Sequence, residues 1–131
     1  MAVFKTILVA YDDPSSGTLA RAADLAEATG STLIVTNVVA PVESSEAKDA
    51  ASEARERLGE AGNYLEGRGL PGELVPLVGP PAEAILRLAQ ERQIDLLVIG
   101  TRKKGFFERL VEGSVAQGVL RGASCDVLVV Y

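Results

Sequence analysis

The segment best suited to bind a ligand lies between Gly100 and Gly113. Three cations at positions 102–104 follow the first glycine, in a chain whose formal net charge is −5. Gly113 comes directly before Ser114, where a helical pattern begins, and the free N–H groups at a helix N-terminus attract anions such as phosphate. These residues predict an anion site. The alternative is that the glycines only form turns and the cations only face solvent.

Two standard phosphate motifs do not fit this segment. Residues 100–105 have the GxxxxG half of a P-loop, but Phe106 and Phe107 stand where lysine and a hydroxyl residue would hold phosphate and magnesium. The chain also has no GxGxxG, so a dinucleotide site of the Rossmann type has no support. Two aspartates follow the apolar run at residues 3–11, which is the first predicted strand. Asp13 is expected to form a turn and helix cap, which leaves Asp12 as the ligand candidate.

The composition narrows the class of function. The 131 residues are 47% hydrophobic, and the net charge of −5 argues against a nucleic-acid or membrane-surface partner. With no histidine and only Cys125, we predict no metal site and no intrachain disulfide. No apolar run approaches the roughly 18 residues that cross a bilayer, and the start lacks a signal-peptide pattern. We therefore expect one cytoplasmic domain over residues 1–131.

Apolar runs alternate with helical patterns along the whole chain. This order predicts an α/β fold with a single doubly wound, five-stranded parallel sheet and helices on both faces. Pro76 cannot donate to a central ladder, so its strand is placed at an edge and the order 3-2-1-4-5 is favoured. The predicted strands are residues 3–11, 32–39, 73–78, 95–100 and 126–131. The first predicted helix is capped by Ser15 and Ser16 and ends at Gly30. The other predicted helices are residues 43–66, a helix that begins at Pro80-Pro81, and residues 114–121.

In this order the chain reverses direction between the first and fourth strands. Ligands of open α/β sheets bind at the carboxyl ends of the strands beside such a switch point. The loops after those two strands, at residues 12–16 and 100–114, are therefore the candidate site.

Taken together, the segments of this chain resemble the universal stress protein family. The resemblance covers nearly the whole sequence and rests on five motifs, KTILVAYD at 5–12, GPPAEAIL at 79–86, DLLVIGTR at 95–102, GSVAQGVLR at 113–121 and CDVLVV at 125–130. Nucleotide-binding members of that family carry the pattern G-x2-G-x9-G-[S/T] after strand 4. Here Gly100 matches the first glycine and Gly113-Ser114 the last pair, but Lys103 occupies the second glycine position.

The resemblance implies that the chain binds ATP or AMP, with Mg²⁺ accompanying ATP. By similarity, Asp12 and the backbone near Val38 would hold adenine and ribose, and Ser114 and Val115 would meet the phosphates. The full set of candidate residues is Asp12, Val38, Gly100, Thr101, Arg102, Lys103, Gly105, Gly113, Ser114 and Val115.

The resemblance also implies a homodimer formed through the last strand, and a regulatory stress-response role without strong catalytic activity. Two alternatives stay open. The first is a homodimeric interaction protein whose nucleotide pocket has degenerated, marked by Lys103. The second is a slow ATPase, for which the sequence offers no base paired with a nucleophile.

Overall fold

One parallel sheet organises the computed structural model, which describes residues 4–11, 17–39, 47–100 and 114–130. Within those ranges its five strands have the order β3-β2-β1-β4-β5, and every pairing is parallel. The predicted fold class and strand order are confirmed. The strands are β1 (Thr6–Ala10), β2 (Thr32–Val39), β3 (Glu73–Val78), β4 (Leu96–Gly100) and β5 (Asp126–Val130).

The helices cover both faces of the sheet, so alternate residues of a strand enter different cores. Ile7 and Val9 of β1 pack under the first two helices, whereas Leu8 packs under the last two, and all three are fully buried. A parallel strand buried on both faces needs such a continuous apolar run. The described helices are α1 (Thr18–Thr29), α2 (Ala47–Arg68), α3 (Pro81–Glu91) and α4 (Ser114–Gly122). None of them is long and apolar enough to cross a membrane.

The ends of the helices follow local chemistry but differ from prediction at three places. The predicted cap of the first helix at Ser15 and Ser16 is wrong, because the N-cap of α1 is Gly17, which makes no side-chain cap hydrogen bond. The last helix ends at Gly122, one residue later than predicted. Gly30 ends α1 as expected, with a left-handed φ of 70° that favours glycine. In contrast, α2 continues two residues past its predicted end, through Gly67. A glycine weakens a helix by only about 1 kcal/mol, and the chain leaves the helix at Gly69, where φ becomes 69°.

Pro76 lies in an edge strand, as predicted. The backbone groups of a strand alternate in direction, and Gly79, three residues later, donates its N–H to Val39 of β2 at 3.1 Å. Odd-numbered residues of β3 therefore face β2, and Pro76 faces away from it. The missing N–H of the proline costs the sheet no ladder bond.

Asp95 fastens the amino-terminal ends of two adjacent strands. Its Oδ2 accepts the backbone N–H groups of Lys5 at 2.7 Å and Thr6 at 2.9 Å, and its own N–H donates to the Thr6 carbonyl at 3.0 Å. The predicted strand began at residue 95, but β4 begins one residue later because Asp95 has this capping role. The N–H groups of Thr6 and Lys5 hold the pKa of the Asp95 carboxyl below its usual value.

Asp95 should therefore make stability depend on pH in the acid range. Because its folded-state pKa is lowered, its contribution is complete above the unfolded-state pKa and is lost as pH falls through the folded value. We expect Asp95→Asn to lose less stability than the wild type as the pH falls from above the unfolded-state pKa of aspartate, about 3.9, to below the lowered folded-state pKa. Urea midpoints at several pH values measure this. Parallel curves for the two proteins would show that Asp95 has no such role.

Glycines set the distance between α3 and α4. A Cβ built on Gly118 would lie 2.7 Å from the Cβ of Ala82, and one on Gly122 would lie 2.7 Å from Cδ1 of Leu86. The two contacts differ in kind, since the Ala82 Cβ moves only with its backbone, whereas the end of Leu86 can rotate. Close packing against α3 thus compensates for the low helix propensity of the glycines in α4.

We predict that three glycine-to-alanine substitutions change the free energy of unfolding in different directions. Gly118→Ala should lower the free energy of unfolding, because overpacking costs about 1–3 kcal/mol and exceeds the propensity gain of about 1 kcal/mol. Gly122→Ala should change it by less than about 0.5 kcal/mol. Gly59→Ala, on the exposed face of α2 with no atom within 4 Å, should raise it. Equal effects at Gly118 and Gly59 in denaturant titrations would contradict this account.

Candidate functional site

The strand order reverses at β1, and such a switch point predicts a crevice at the carboxyl edge of the sheet. β1 lies between β2 and β4, and the chain leaves it through α1 toward β2, on the opposite side from β4. Residues of α1 and α2 share one core with the sheet, and residues of α3 and α4 share the other. The segments that follow β1 and β4 therefore diverge to opposite faces, which is the arrangement in which α/β sheets bind ligands.

Val38 turns its backbone polar groups toward this crevice. The even-numbered residues of β2 bond to β1, since Thr32 donates to the carbonyl of Lys5 at 2.9 Å and Thr36 accepts from the N–H of Tyr11 at 2.8 Å. The same alternation directs the N–H and C=O of Val38 toward the line of β1. The register between the strands ends at Ala10 and Thr36. The N–H and C=O of Val38 therefore lie just beyond the last register pair of β1 and β2, on the side of β2 that faces β1.

Asn37 is a buried polar residue beside this position, only 4% exposed. Its Nδ2 donates to the carbonyl of Tyr11 at 2.8 Å. In the part of the chain that the structure describes, no group donates a hydrogen bond to its Oδ1. A buried acceptor without a donor costs about 1–3 kcal/mol, so this oxygen marks a place where a further polar group would stabilise the protein.

Hydrogen bonds hold Tyr11 at its N–H, its carbonyl and its side chain. The N–H donates to Thr36, the carbonyl accepts from Asn37, and the phenol donates to Oε1 of Glu60 on α2 at 3.1 Å. The ring is 5% exposed and belongs to the core under α1 and α2. The exit of β1 is thus fixed to both β2 and α2, immediately before Asp12 in the chain.

The end of β4 and the start of α4 reach the same edge of the sheet. Gly100 is the last residue of β4 and pairs with Val130 at the end of β5. Because β4 and β5 are parallel, the helix between them must return from the carboxyl edge to the amino edge, so its N-terminus at Ser114 lies on the carboxyl side. Val115 in the first turn is 38% exposed, whereas Ala116 behind it is buried. The free N–H groups of this turn can meet an anion.

The structure therefore brings Val38, Gly100 and the first turn of α4 to one edge. With strands about 4.8 Å apart, the ends of β2 and β4 lie about 10 Å from each other across β1, a span that one nucleotide can bridge. The other predicted site residues lie outside the described ranges. They are Asp12, Thr101, Arg102, Lys103, Gly105 and Gly113.

Features at other places do not form a comparable site. Among the described residues, no group of three or more histidine, cysteine or carboxylate side chains could hold a metal ion. Cys125 lines a cavity of about 190 Å³ with Gln90, Gln93 and Ser124, at the amino-terminal side of the sheet. Burial raises the pKa of its thiol, so the thiol is less reactive than an exposed cysteine. The cysteine is half-buried.

Sequence reasoning missed the residues that fasten the exit of β1. Asn37 and Thr36 are the two consecutive polar residues in the otherwise apolar second half of β2, and that break in the pattern was the available signal. Both are buried. Glu60 gave no signal, since it is one of many charged residues on α2 and only the folded chain brings it to Tyr11.

Comparisons with known proteins agree with the motifs. Residues 4–131 match the sequence model of the universal stress protein family. A universal stress protein of Thermus aquaticus is 37% identical over 136 aligned positions, which cover 98% of this chain and 99% of that relative.

Solved structures of the same fold include nucleotide complexes. A universal stress protein in complex with cAMP has 28% sequence identity and a TM-score of 0.78, covering 99% of each chain. A universal stress protein from Archaeoglobus fulgidus in complex with dAMP has 27% identity and a TM-score of 0.78, covering 98% of this chain and 99% of that one.

Proposed function

The chain belongs to the universal stress protein family, and we propose that it binds an adenine nucleotide, ATP or AMP, at the carboxyl edge of its sheet. The observation that carries this proposal is the orientation of the Val38 backbone beside the switch point. It is supported by the similar proteins that were crystallised with cAMP and dAMP, both adenine nucleotides.

The groups at this edge suit the parts of such a ligand. The pairing edge of adenine offers an amino donor and a ring acceptor, which match the C=O and N–H of Val38. Asp12 would accept from the ribose hydroxyls. The phosphates would lie toward the first turn of α4, at Ser114 and Val115, where the helix dipole and N–H groups favour an anion. The cations Arg102 and Lys103 come from the segment that joins β4 to this helix, and Mg²⁺ would accompany ATP at the phosphates.

The proposal assigns the chain a regulatory stress-response role in the cytoplasm. Catalysis is not required, and the sequence has no histidine to act as a base near neutral pH. A slow ATPase remains the alternative for the same site, and phosphate release above a buffer blank would support it. An interaction protein with a degenerated pocket is the second candidate, favoured by Lys103 at the motif's glycine position.

Purified protein should carry or bind an adenine nucleotide. Denaturing the purified protein should release ATP, ADP or AMP, which chromatography identifies. If no nucleotide is bound, titrating the protein with ATP in the presence of magnesium should give a heat of binding. We expect Gly113→Val to weaken binding at least tenfold, about 1.4 kcal/mol, because a side chain at that position would obstruct the phosphates. Calorimetric titration measures the affinity.

A matched glycine variant controls for this test. Gly59→Val changes an exposed residue of α2 with no neighbouring atom within 4 Å, and should leave the affinity unchanged. Unchanged affinity in Gly113→Val would show that the phosphates bind elsewhere. A wild-type protein with neither bound nucleotide nor heat of binding would sink the proposal and leave the interaction protein as the better account.

The two edges of the sheet differ in a way that favours a dimer through β5. On the β3 edge, Pro76 faces outward and has no N–H to donate. At the same edge, Nη1 and Nη2 of Arg92 donate to the two carboxylate oxygens of Glu73. These features discourage strand addition. β5 contains no proline, and its central residues Val127–Val129 are apolar and only half-buried. The β5 edge is therefore the one suited to pairing with a second copy.

A charge on β5 should separate the dimer. We expect the wild type to have twice the mass of one chain by light scattering, and Val129→Lys and Leu128→Lys to be monomers at the same concentration. The two variants place the charge on opposite faces of the strand, since Val129 packs toward α3 and α4, and Leu128 toward the other core. Circular dichroism checks folding. A monomeric wild type, or folded dimers of both variants, would contradict the assignment.

A further inference from the structure

We propose that Asn37 is the positioning residue of the nucleotide site. Its side chain fixes the Tyr11 carbonyl at the exit of β1, and its Oδ1 receives a donor when the site is occupied. This inference rests on the proposed nucleotide binding and adds to it a residue outside the glycine motif of the family. Three observations carry the inference: the burial of Asn37, its bond to Tyr11, and the lack of a donor to its Oδ1 among the residues that the structure describes.

The bond to Tyr11 determines where the loop after β1 starts. The register of β1 with β2 ends at Ala10 and Thr36, and Tyr11 adds one further backbone bond to Thr36. At the Tyr11 carbonyl, the side chain of Asn37 supplies a donor at 2.8 Å. This carbonyl belongs to the same peptide unit as the N–H of Asp12. Because the peptide unit is planar, holding its oxygen fixes the plane in which the chain leaves Tyr11.

The Oδ1 of Asn37 gives the residue a second role. Buried polar groups are nearly always paired, and Nδ2 already has its partner in Tyr11. A rotation that offered Oδ1 to another donor would break that bond. The oxygen is therefore best satisfied by a donor that comes to it, either a ligand group or one ordered water held by the ligand. The side chain of Asn37 shares its face of β2 with Leu33 and Val35, which pack under α1 and α2, so such a donor would approach from that face of the sheet, next to the exit of β1.

The affinity for AMP in two variants distinguishes a positioning role of Asn37 from a role in fold stability alone. Asn37→Leu removes both polar atoms from a side chain of similar size, and we expect it to raise the Kd for AMP at least tenfold. The matched control is Thr36→Val at the buried neighbouring residue. It keeps the backbone carbonyl of Thr36 that accepts from Tyr11 and removes only the side-chain hydrogen bond of 2.7 Å to the Val75 carbonyl, on the side away from β1. Thr36→Val should lose stability but keep the wild-type Kd, as measured by calorimetry alongside thermal unfolding.

A spectroscopic measurement on the unmodified protein does not depend on the variants folding. The chain has two asparagines, Asn37 and Asn63, and Asn63 is exposed on α2. In a ¹⁵N-labelled sample, the side-chain amide signals of Asn37 should shift on addition of AMP, and those of Asn63 should not. Triple-resonance assignment of a ¹³C,¹⁵N-labelled wild type connects each side-chain amide to its own residue, which separates Asn37 from Asn63 and from the glutamines Gln90, Gln93 and Gln117.

The outcomes distinguish this inference from the proposed function. If the wild type binds AMP while the Asn37 signals stay unchanged and Asn37→Leu keeps the wild-type Kd, the positioning role is overturned and the proposed function stands. Equal losses of affinity in Asn37→Leu and Thr36→Val also overturn it, since general support of β2 would then explain both. A wild type that does not bind AMP overturns the proposed function itself.

Discussion

The parallel pairing of β1 with both β2 and β4 is the constraint on which the fold and the candidate site depend. It makes β1 the central strand, buried on both faces, and it forces the chain to leave β1 and β4 on opposite sides of the sheet. The crevice at the carboxyl edge follows from this topology. The register pairs of β1 with β2 end at Ala10 and Thr36, one more backbone bond joins Tyr11 to Thr36, and the N–H and C=O of Val38 lie beyond it, directed toward the line of β1.

At both ends of β1, side chains form the hydrogen bonds that join its backbone to neighbouring elements. At the amino end, the carboxylate of Asp95 caps the N–H groups of Lys5 and Thr6 and joins β1 to β4. At the carboxyl end, Asn37 and Glu60 hold Tyr11 and join β1 to β2 and α2. The amino-end cap is chemically complete, whereas the carboxyl end retains an acceptor without a donor among the described residues. This difference supports the proposal that the ligand binds at the carboxyl end.

Much of the fold follows from patterns that act locally. Continuous apolar runs predict buried parallel strands, and Pro76 predicts which strand lies at an edge, because its missing N–H matters wherever a ladder would form. The roles of Asn37 and Asp95 could not be predicted, since each depends on a partner on another strand, Tyr11 and Thr6, that only the folded sheet supplies. The motif indicated where the site lies, but the orientation of Val38 required the register of β2.

The location of nucleotide binding tests the central claim most directly. A ¹⁵N-labelled sample titrated with AMP reports it through the backbone amide shifts of each residue. The account predicts that the largest shifts among the described residues occur at Val38, Gly100 and Val115, with little change at Gln93 and Cys125 on the opposite edge. Shifts concentrated around Gln93 and Cys125, or no shift at Val38 at saturating AMP, would contradict it.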